Sequence, residues 1–331
     1  MKAIRVGSVV GRIGEKVSGF IDVPPGVDPS TSIPVSVVTG RNDGPVLALV
    51  AGIHGSEPSP IVALQRVRAE LDPAQLSGTV IIVQIANVPS FTQRTIYRGP
   101  WDQKNLNRVF PGKFEGSVSE RIAHAITTHV IDQCEYLVDM HSGDGNEALR
   151  PYSYWNKLGL DDRVDATARD MTLAFGLDHI VIDRDRPRDA GASLYCSNTA
   201  QVRGKPAMTT EVGAVGVPTE EMVALNVRGA FRVMKYLGML PGAKEMVEHP
   251  RWIDPSVVLT SPETGTWHPA VVPDQQVGEG ALLGRLTDYF GELVAEVRSP
   301  IAGVVTYVVV SPAMAKGEPV AMVGHITDDA P

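Results

Sequence analysis

The chain has 331 residues, 43% of them hydrophobic and 21% charged, and a formal net charge of −8. That length and balance suit a globular protein with one large domain and an appendage, or two domains, and the negative charge argues against non-specific binding to nucleic acid or an anionic membrane. Two cysteines, Cys134 and Cys196, read as small buried thiols of a reducing compartment rather than as a disulfide. The opening residues hold no apolar stretch long enough for a secretory leader and no later segment is long enough to span a membrane, so a cytoplasmic location is expected.

Taken in order, residues 1–43 are rich in Val, Ile, Gly and Pro and predict short strands at 18–25 and 33–38. Residues 46–51, Val-Leu-Ala-Leu-Val-Ala, form an unbroken apolar run between proline and glycine, the pattern of a buried strand in a parallel sheet. His54 and Glu57 follow directly, then Pro58, which suits the first turn of a helix starting at 56–58. A second buried strand lies within 78–87. The loop from 88 to about 117 is longer than a connector needs, which points to function. An amphipathic helix is predicted from 119 to about 131, and a strand over 135–140 ends on His141. Further on come a helix at 162–175, a strand at 179–182, a loop through 191–195, a strand at 206–211, and a long helix from Thr219 to about Leu240, capped by Thr219 and closed by Pro241-Gly242. Alternating strands and helices predict an α/β fold with a mostly parallel or mixed sheet flanked by helices.

From about residue 256 the helical periodicity stops. Short β-rich pieces and glycine turns take over, with a weak repeat between 277–284 and 316–324, so a small all-β barrel or sandwich is expected there. The expected division is 1–255 for the chemistry, with an N-terminal β segment, and 256–331 for the β-rich part.

His54 with Glu57, His141, and Glu211 all fall at the carboxyl ends of predicted core strands, on one edge of the sheet, where open α/β sheets bind ligands. Two imidazoles and one carboxylate with an open position make the donor set of a catalytic zinc site. Asp139 precedes His141 by two residues on the same strand face, and can be a partner of that imidazole or ordinary sheet chemistry. His124 and His129 fall on a predicted helix and His179, His249, His268 and His325 have no partner at metal spacing, so these read as surface or structural residues. A serine hydrolase is disfavoured, since no G-x-S-x-G elbow occurs.

Four ordered motifs, GIHGSEPSP (52–60), NLNRVFPG (105–112), VDMHSGD (138–144) and TTEVG (209–213), resemble the succinylglutamate desuccinylase/aspartoacylase family, of the zinc carboxypeptidase-like superfamily. The resemblance implies one Zn2+ per chain held by His54, Glu57 and His141, with Glu211 as general base. It implies hydrolysis of the amide bond of an N-acyl amino acid or related small carboxylate. It also implies an arginine that polarises the attacked carbonyl, for which both Arg94 and Arg98 qualify and Arg98 is favoured by its nearness to the Asn-Arg pair. Asn107 and Arg108 match the family's pair that grips a substrate carboxylate, a task that suits arginine's bidentate fork. Tyr195 is open between closing over substrate and plain packing.

The stretch 299–305 resembles a biotinyl/lipoyl-like barrel-sandwich hybrid. The expected hairpin tip, 288–292, carries no lysine, so no lipoyl or biotinyl attachment is expected. In aspartoacylase-like members a β-rich C-terminal domain limits access to the site, and the same is expected here. The partner is therefore a small molecule, with no nucleic acid and no membrane, and the β-rich edge could support a homo-oligomer. The competing readings are a metallocarboxypeptidase acting on short peptides and a metal-binding module without turnover.

Overall fold

A computed structural model describes residues 4–327; Met1, Lys2 and Ala3, which open the stretch read for a leader, and residues 328–331 lie outside the described residues. The chain opens with a small ribbon, β1 (Ile4–Val6) on β2 (Val9–Gly11), then lays down β3 (Lys16–Val23), β4 (Thr31–Thr39) and β5 (Asn42–Ala51). Helix α1 (Pro58–Glu70) returns the chain to β6 (Ser77–Val83), parallel to β5. Helix α2 (Val88–Gln93) and a 3-10 turn at Leu106–Arg108 occupy the long loop, which therefore has more local structure than its composition suggested. Helix α3 (Val118–Ile126) continues as a single π-helical turn, Thr127–Ile131, so the helix expected to 131 changes hydrogen-bond register at its end.

Strand β7 (Tyr136–His141) pairs parallel with β5. Strands β8 (Glu147–Leu149) and β9 (Tyr152–Asn156) follow, then α4 (Asp162–Phe175), β10 (His179–Asp183), α5 (Cys196–Gln201), β11 (Ala207–Glu211) and α6 (Glu220–Tyr236). The Thr219 side chain caps α6 by accepting from Met222 N–H. That helix ends earlier than expected, because Gly238 takes a left-handed φ of 74° and bonds back to Lys235 O.

The C-terminal strands are β12 (Arg251–Thr260), β13 (Gly265–Pro269), β14 (Gln276–Val277), β15 (Leu282–Thr287), β16 (Leu293–Arg298), β17 (Gly303–Val309), β18 (Ala313–Met314) and β19 (Pro319–Thr327). Four of them make their own sheet in the order β16-β15-β13-β18. The others extend the main sheet, which has 13 strands and reads β14-β17-β19-β12-β10-β9-β11-β7-β5-β6-β4-β3, with β8 on β17. Strand β12 is the splice: its start lies parallel to β10 and its length pairs antiparallel with β19. Residue 256, where helical periodicity ends in the sequence, falls inside that strand.

Strands β5, β7 and β11 carry apolar side chains on both faces because each face is covered. Ile122, Ala123 and Ile126 of α3 and Ala200 of α5 pack with Ala48, Val50 and Leu137 on one side. On the other, Ile61 and Leu64 of α1, Met171 and Phe175 of α4, and Val227 and Ala230 of α6 pack with Leu47, Leu49 and Val138. The β-rich end has a separate core around Trp267, Leu283, Leu286 and Val323. Cys134 and Cys196 are free and buried.

Candidate metal centre

Strands β5, β7 and β11 finish at one rim, with Ala51 opposite Met140 and Glu211 opposite His141. At the end of β5 the chain turns through Gly52, at φ 70°, and then Gly55 passes so close to the Ser90 backbone that a Cβ would lie 2.1 Å from its carbonyl carbon. This turn swings His54 and Glu57 over the rim. Glu57 precedes α1 but makes no side-chain cap, and Pro58 at the first position removes one of the N–H groups that would ask for one. Its carboxylate instead faces two imidazoles. Oε1 lies 2.7 Å from His54 Nδ1 and Oε2 lies 2.9 Å from His141 Nδ1. One donor atom from each of His54, Glu57 and His141 falls within 4.8 Å of the others.

The far side of each ring fixes its orientation. His54 Nε2 donates to Asn105 Oδ1 at 3.0 Å, a partner marked in the sequence only by its place in NLNR. His141 Nε2 stands 3.1 Å from Asp139 Oδ1, an ion-pair contact rather than an aligned hydrogen bond, and 3.3 Å from Asn107 Nδ2. The alternative left open for Asp139 thus resolves in space: its carboxylate lies directly behind the imidazole. Both Nδ1 atoms are turned to the common point beside Glu57.

Burial works against charge on His54, and the Glu57 carboxylate outweighs it, so the pKa lies above the usual imidazole value. For His141 burial is likewise overcome, by Asp139 and Glu57, and the pKa stands well above normal. Glu57 is held below the usual carboxylate range because the two imidazoles prevail over its burial. Asp139 is fully buried, and neither of its oxygens has an aligned hydrogen-bond donor among the described residues. Buried carboxylates in such company call for compensating positive charge. A divalent cation held by His54, Glu57 and His141 would supply it. The donor spacing fits as well, since two ligands of a tetrahedral ion bound at about 2.0–2.1 Å lie roughly 3.3 Å apart.

Glu211, at the end of β11, faces the same space, and burial pushes its carboxyl well above the ordinary range. A cavity of about 950 Å³ opens over His54, Glu57 and Glu211 and takes in Arg98, Asn105, Arg108, Glu147, Tyr307 and the turn 315–319. A smaller one of about 110 Å³ adjoins it at His54, Arg108, Tyr154 and Glu211, and reaches His141, Asn107 and Arg186. Arg98 lines the larger cavity, with Nη1 donating to Gln103 O at 3.2 Å. Arg94 lines neither. It terminates α2 in the left-handed conformation, φ 55°, with its side chain exposed, so of the two expected arginines only Arg98 reaches the site. Asn107 Oδ1 accepts from Cys196 N–H at 2.8 Å and its Nδ2 lies beside His141 Nε2 at the smaller cavity, whereas Arg108 enters both cavities.

The loop carrying these residues is pinned twice. The Asp102 carboxylate accepts from Ser117 Oγ, Ser119 N, Ser119 Oγ and Lys104 N, fastening the loop to the N-terminus of α3. Tyr97, at φ 56°, donates its N–H to Asp144 Oδ2 and its hydroxyl to Glu147 Oε1. Burial raises Asp144 to about 6 and Glu147 to about 7.

Comparisons with known proteins agree with this fold. Residues 43–237 match the family model for the succinylglutamate desuccinylase/aspartoacylase catalytic domain. The chain is 30% identical over 289 residues, 84% of its own length and 82% of the relative's, to N-alpha-acetyl-L-2,4-diaminobutyric acid deacetylase of Halomonas elongata. Among solved structures, the product-bound ectoine utilization protein EutE (DoeB) of Ruegeria pomeroyi superposes with a TM-score of 0.84 at 26% identity, covering 98% of this chain and 99% of that one. A succinylglutamate desuccinylase from Silicibacter sp. TM1040 shares the fold, with a TM-score of 0.84 at 24% identity over 99% and 100% of the two chains.

Proposed function

The chain belongs to the succinylglutamate desuccinylase/aspartoacylase family, whose hydrolases act on N-acyl amino acids, and from that premise we propose that it is a zinc-dependent deacylase cleaving the amide bond of an N-acyl amino acid or related small carboxylate. One observation carries the reading: two imidazole Nδ1 atoms and a carboxylate oxygen converge at the rim, and Glu211 opens into the same cavity. His54, Glu57 and His141 would hold one zinc ion, a donor set of two nitrogens and one carboxylate that suits it. When bound, the ion acts as a Lewis acid toward water and toward the amide carbonyl.

Glu211 would take the proton of the attacking water and deliver it to the nitrogen of the departing amine. Burial, which raises its pKa, favours holding that proton between the two transfers. Arg98 would stabilise the negative charge developing on the carbonyl oxygen, a contribution worth about 3–4 kcal/mol in other hydrolases. Arg108, with the Asn107 amide, would hold a substrate carboxylate. An N-acetyl diamino acid is the first substrate to try, given the relative from Halomonas elongata.

The division into a catalytic part, 1–255, and a β-rich part, 256–331, belongs to the same proposal. It is supported by Tyr307 and the turn 315–319, which wall the larger cavity and would restrict what enters. A cytoplasmic location is proposed from the sequence; among the described residues no helix is long and apolar enough to cross a membrane. The test is metal analysis of the purified protein, followed by release of free amine from panels of N-acetyl and N-succinyl amino acids and of dipeptides. Near-stoichiometric zinc with turnover confined to the acyl amino acids is expected. Turnover of dipeptides alone would move the reading to a carboxypeptidase, and bound zinc with no turnover to a metal-binding module.

A further inference from the structure

We propose that Arg186 and Arg108 together form an anion subsite in the smaller cavity, taking the carboxylate either of the amino acid or of a dicarboxylic acyl group; the proposal rests on the deacylase reading above. Arg186 lies in the segment between β10 and α5, where no sequence motif singled it out. Its side chain is only 12% exposed, and Nε donates to Asp183 Oδ2 at 2.6 Å. The guanidinium carbon stands 3.7 Å from the Tyr195 ring centre, and that of Arg108 stands 4.5 Å from the same ring. Arg108 is braced separately, with Nη1 donating to Asn107 O at 2.7 Å. Tyr195 thus gives both cations an aromatic surface to rest on.

The terminal nitrogens of Arg186 have no hydrogen-bond partner among the described residues, and Arg186 lines the smaller cavity. Two guanidiniums on one small cavity repel. Burial depresses the basicity of Arg108, and Arg186 is among the neighbours that depress it further. An anion held between them would offset that repulsion. At about 110 Å³ the smaller cavity has room for a carboxylate. Planar forks from two arginines match a carboxylate's four lone-pair positions. Because the small cavity meets the large one at His54 and Glu211, a carboxylate held there points the rest of the molecule across the reacting position.

Steady-state kinetics of Arg186→Ala and Arg186→Met, the latter keeping the bulk on Tyr195, test this. For an N-acetyl amino acid both variants should raise KM about tenfold to a hundredfold and change kcat less than about threefold, with metal content unaltered. For the matching N-acetyl amino acid carboxamide KM should hardly move. If the N-succinyl derivative of a simple amine shows the effect while the N-acetyl amino acid does not, the subsite takes the acyl carboxylate instead. Equal changes for acid and carboxamide, or a wild-type KM in Arg186→Met, would overturn the proposal. Succinate binding measured by calorimetry reads the subsite independently of turnover and should weaken at least tenfold in both variants. Absence of wild-type turnover on every N-acyl compound would defeat the deacylase reading alone, whereas succinate binding that ignores Arg186 would defeat the subsite.

Discussion

The sheet rim and the loop over residues 88–117 meet at one cavity but are held by different forces. His141 and Glu211 sit at the ends of β7 and β11, register partners in a largely buried ladder, and His54 and Glu57 sit on the turn out of β5, the next strand across. Their positions follow from packing on both faces of the sheet, which leaves little freedom. Arg98, Asn105, Asn107 and Arg108 sit on a loop with little core of its own, placed by the carboxylates of Asp102, Asp144 and Glu147. A packed scaffold fixes donors sharply enough for a metal. A hydrogen-bonded loop fixes recognition groups that can be loosened by degrees.

That contrast can be broken most severely at the rim. Glu57→Ala leaves two buried imidazoles without their shared carboxylate, and should abolish stoichiometric metal and lower kcat/KM by about 1,000-fold or more. Glu211→Gln should lose turnover on a similar scale while keeping the metal. Metal content and kinetics of the pair separate ligand from base, and a Glu211→Gln protein without metal would contradict the assignment. A smaller effect is expected from the loop. Asp102→Ala removes the acceptor of four hydrogen bonds, three of them from the start of α3, and should raise KM about tenfold with full metal content. Metal loss as large as the KM change would mean that loop and rim are not separable.

The mildest effect concerns the tether itself. In the folded protein Glu147 titrates at about 7, above its ordinary value near 4.5. Between those two pH values the native state binds more protons than the unfolded chain, so this group's contribution to stability falls as pH rises through the window. Glu147→Gln lacks that titration. Relative to wild type, metal-free Glu147→Gln should gain on the order of 2 kcal/mol between pH 4.5 and pH 8, followed by thermal unfolding across pH. A difference that stays flat with pH would remove Glu147 from the titrating tethers.

Much of the rim was legible because periodicity reports burial. The apolar runs at 46–51 and 135–140 announce β5 and β7, and the amphipathic pattern at 162–175 has the same bounds as α4. The rest was hidden where buried groups are polar. Helix α5, Cys196–Gln201, is buried throughout although it reads as a polar loop, because Asn198 donates to Pro187 O and Ser193 O and Ser197 bonds Thr209. Asn105 behind His54, Asp102 under the loop and Arg186 beside Tyr195 act through partners distant in the chain, for which a single sequence carries no pattern. Arg94 and Arg98 both qualify in the sequence, with Arg98 favoured by its nearness to the Asn-Arg pair, and the left-handed end of α2 leaves Arg94 exposed.

The most direct measurement is anomalous diffraction at the zinc edge from crystals of the zinc-loaded protein. The account predicts one strong peak within bonding distance of His54 Nδ1, His141 Nδ1 and a Glu57 oxygen, with Asn105 and Asp139 still on the two Nε2 atoms. Absence of a peak at the rim, or ligation through the Nε2 atoms, would contradict it.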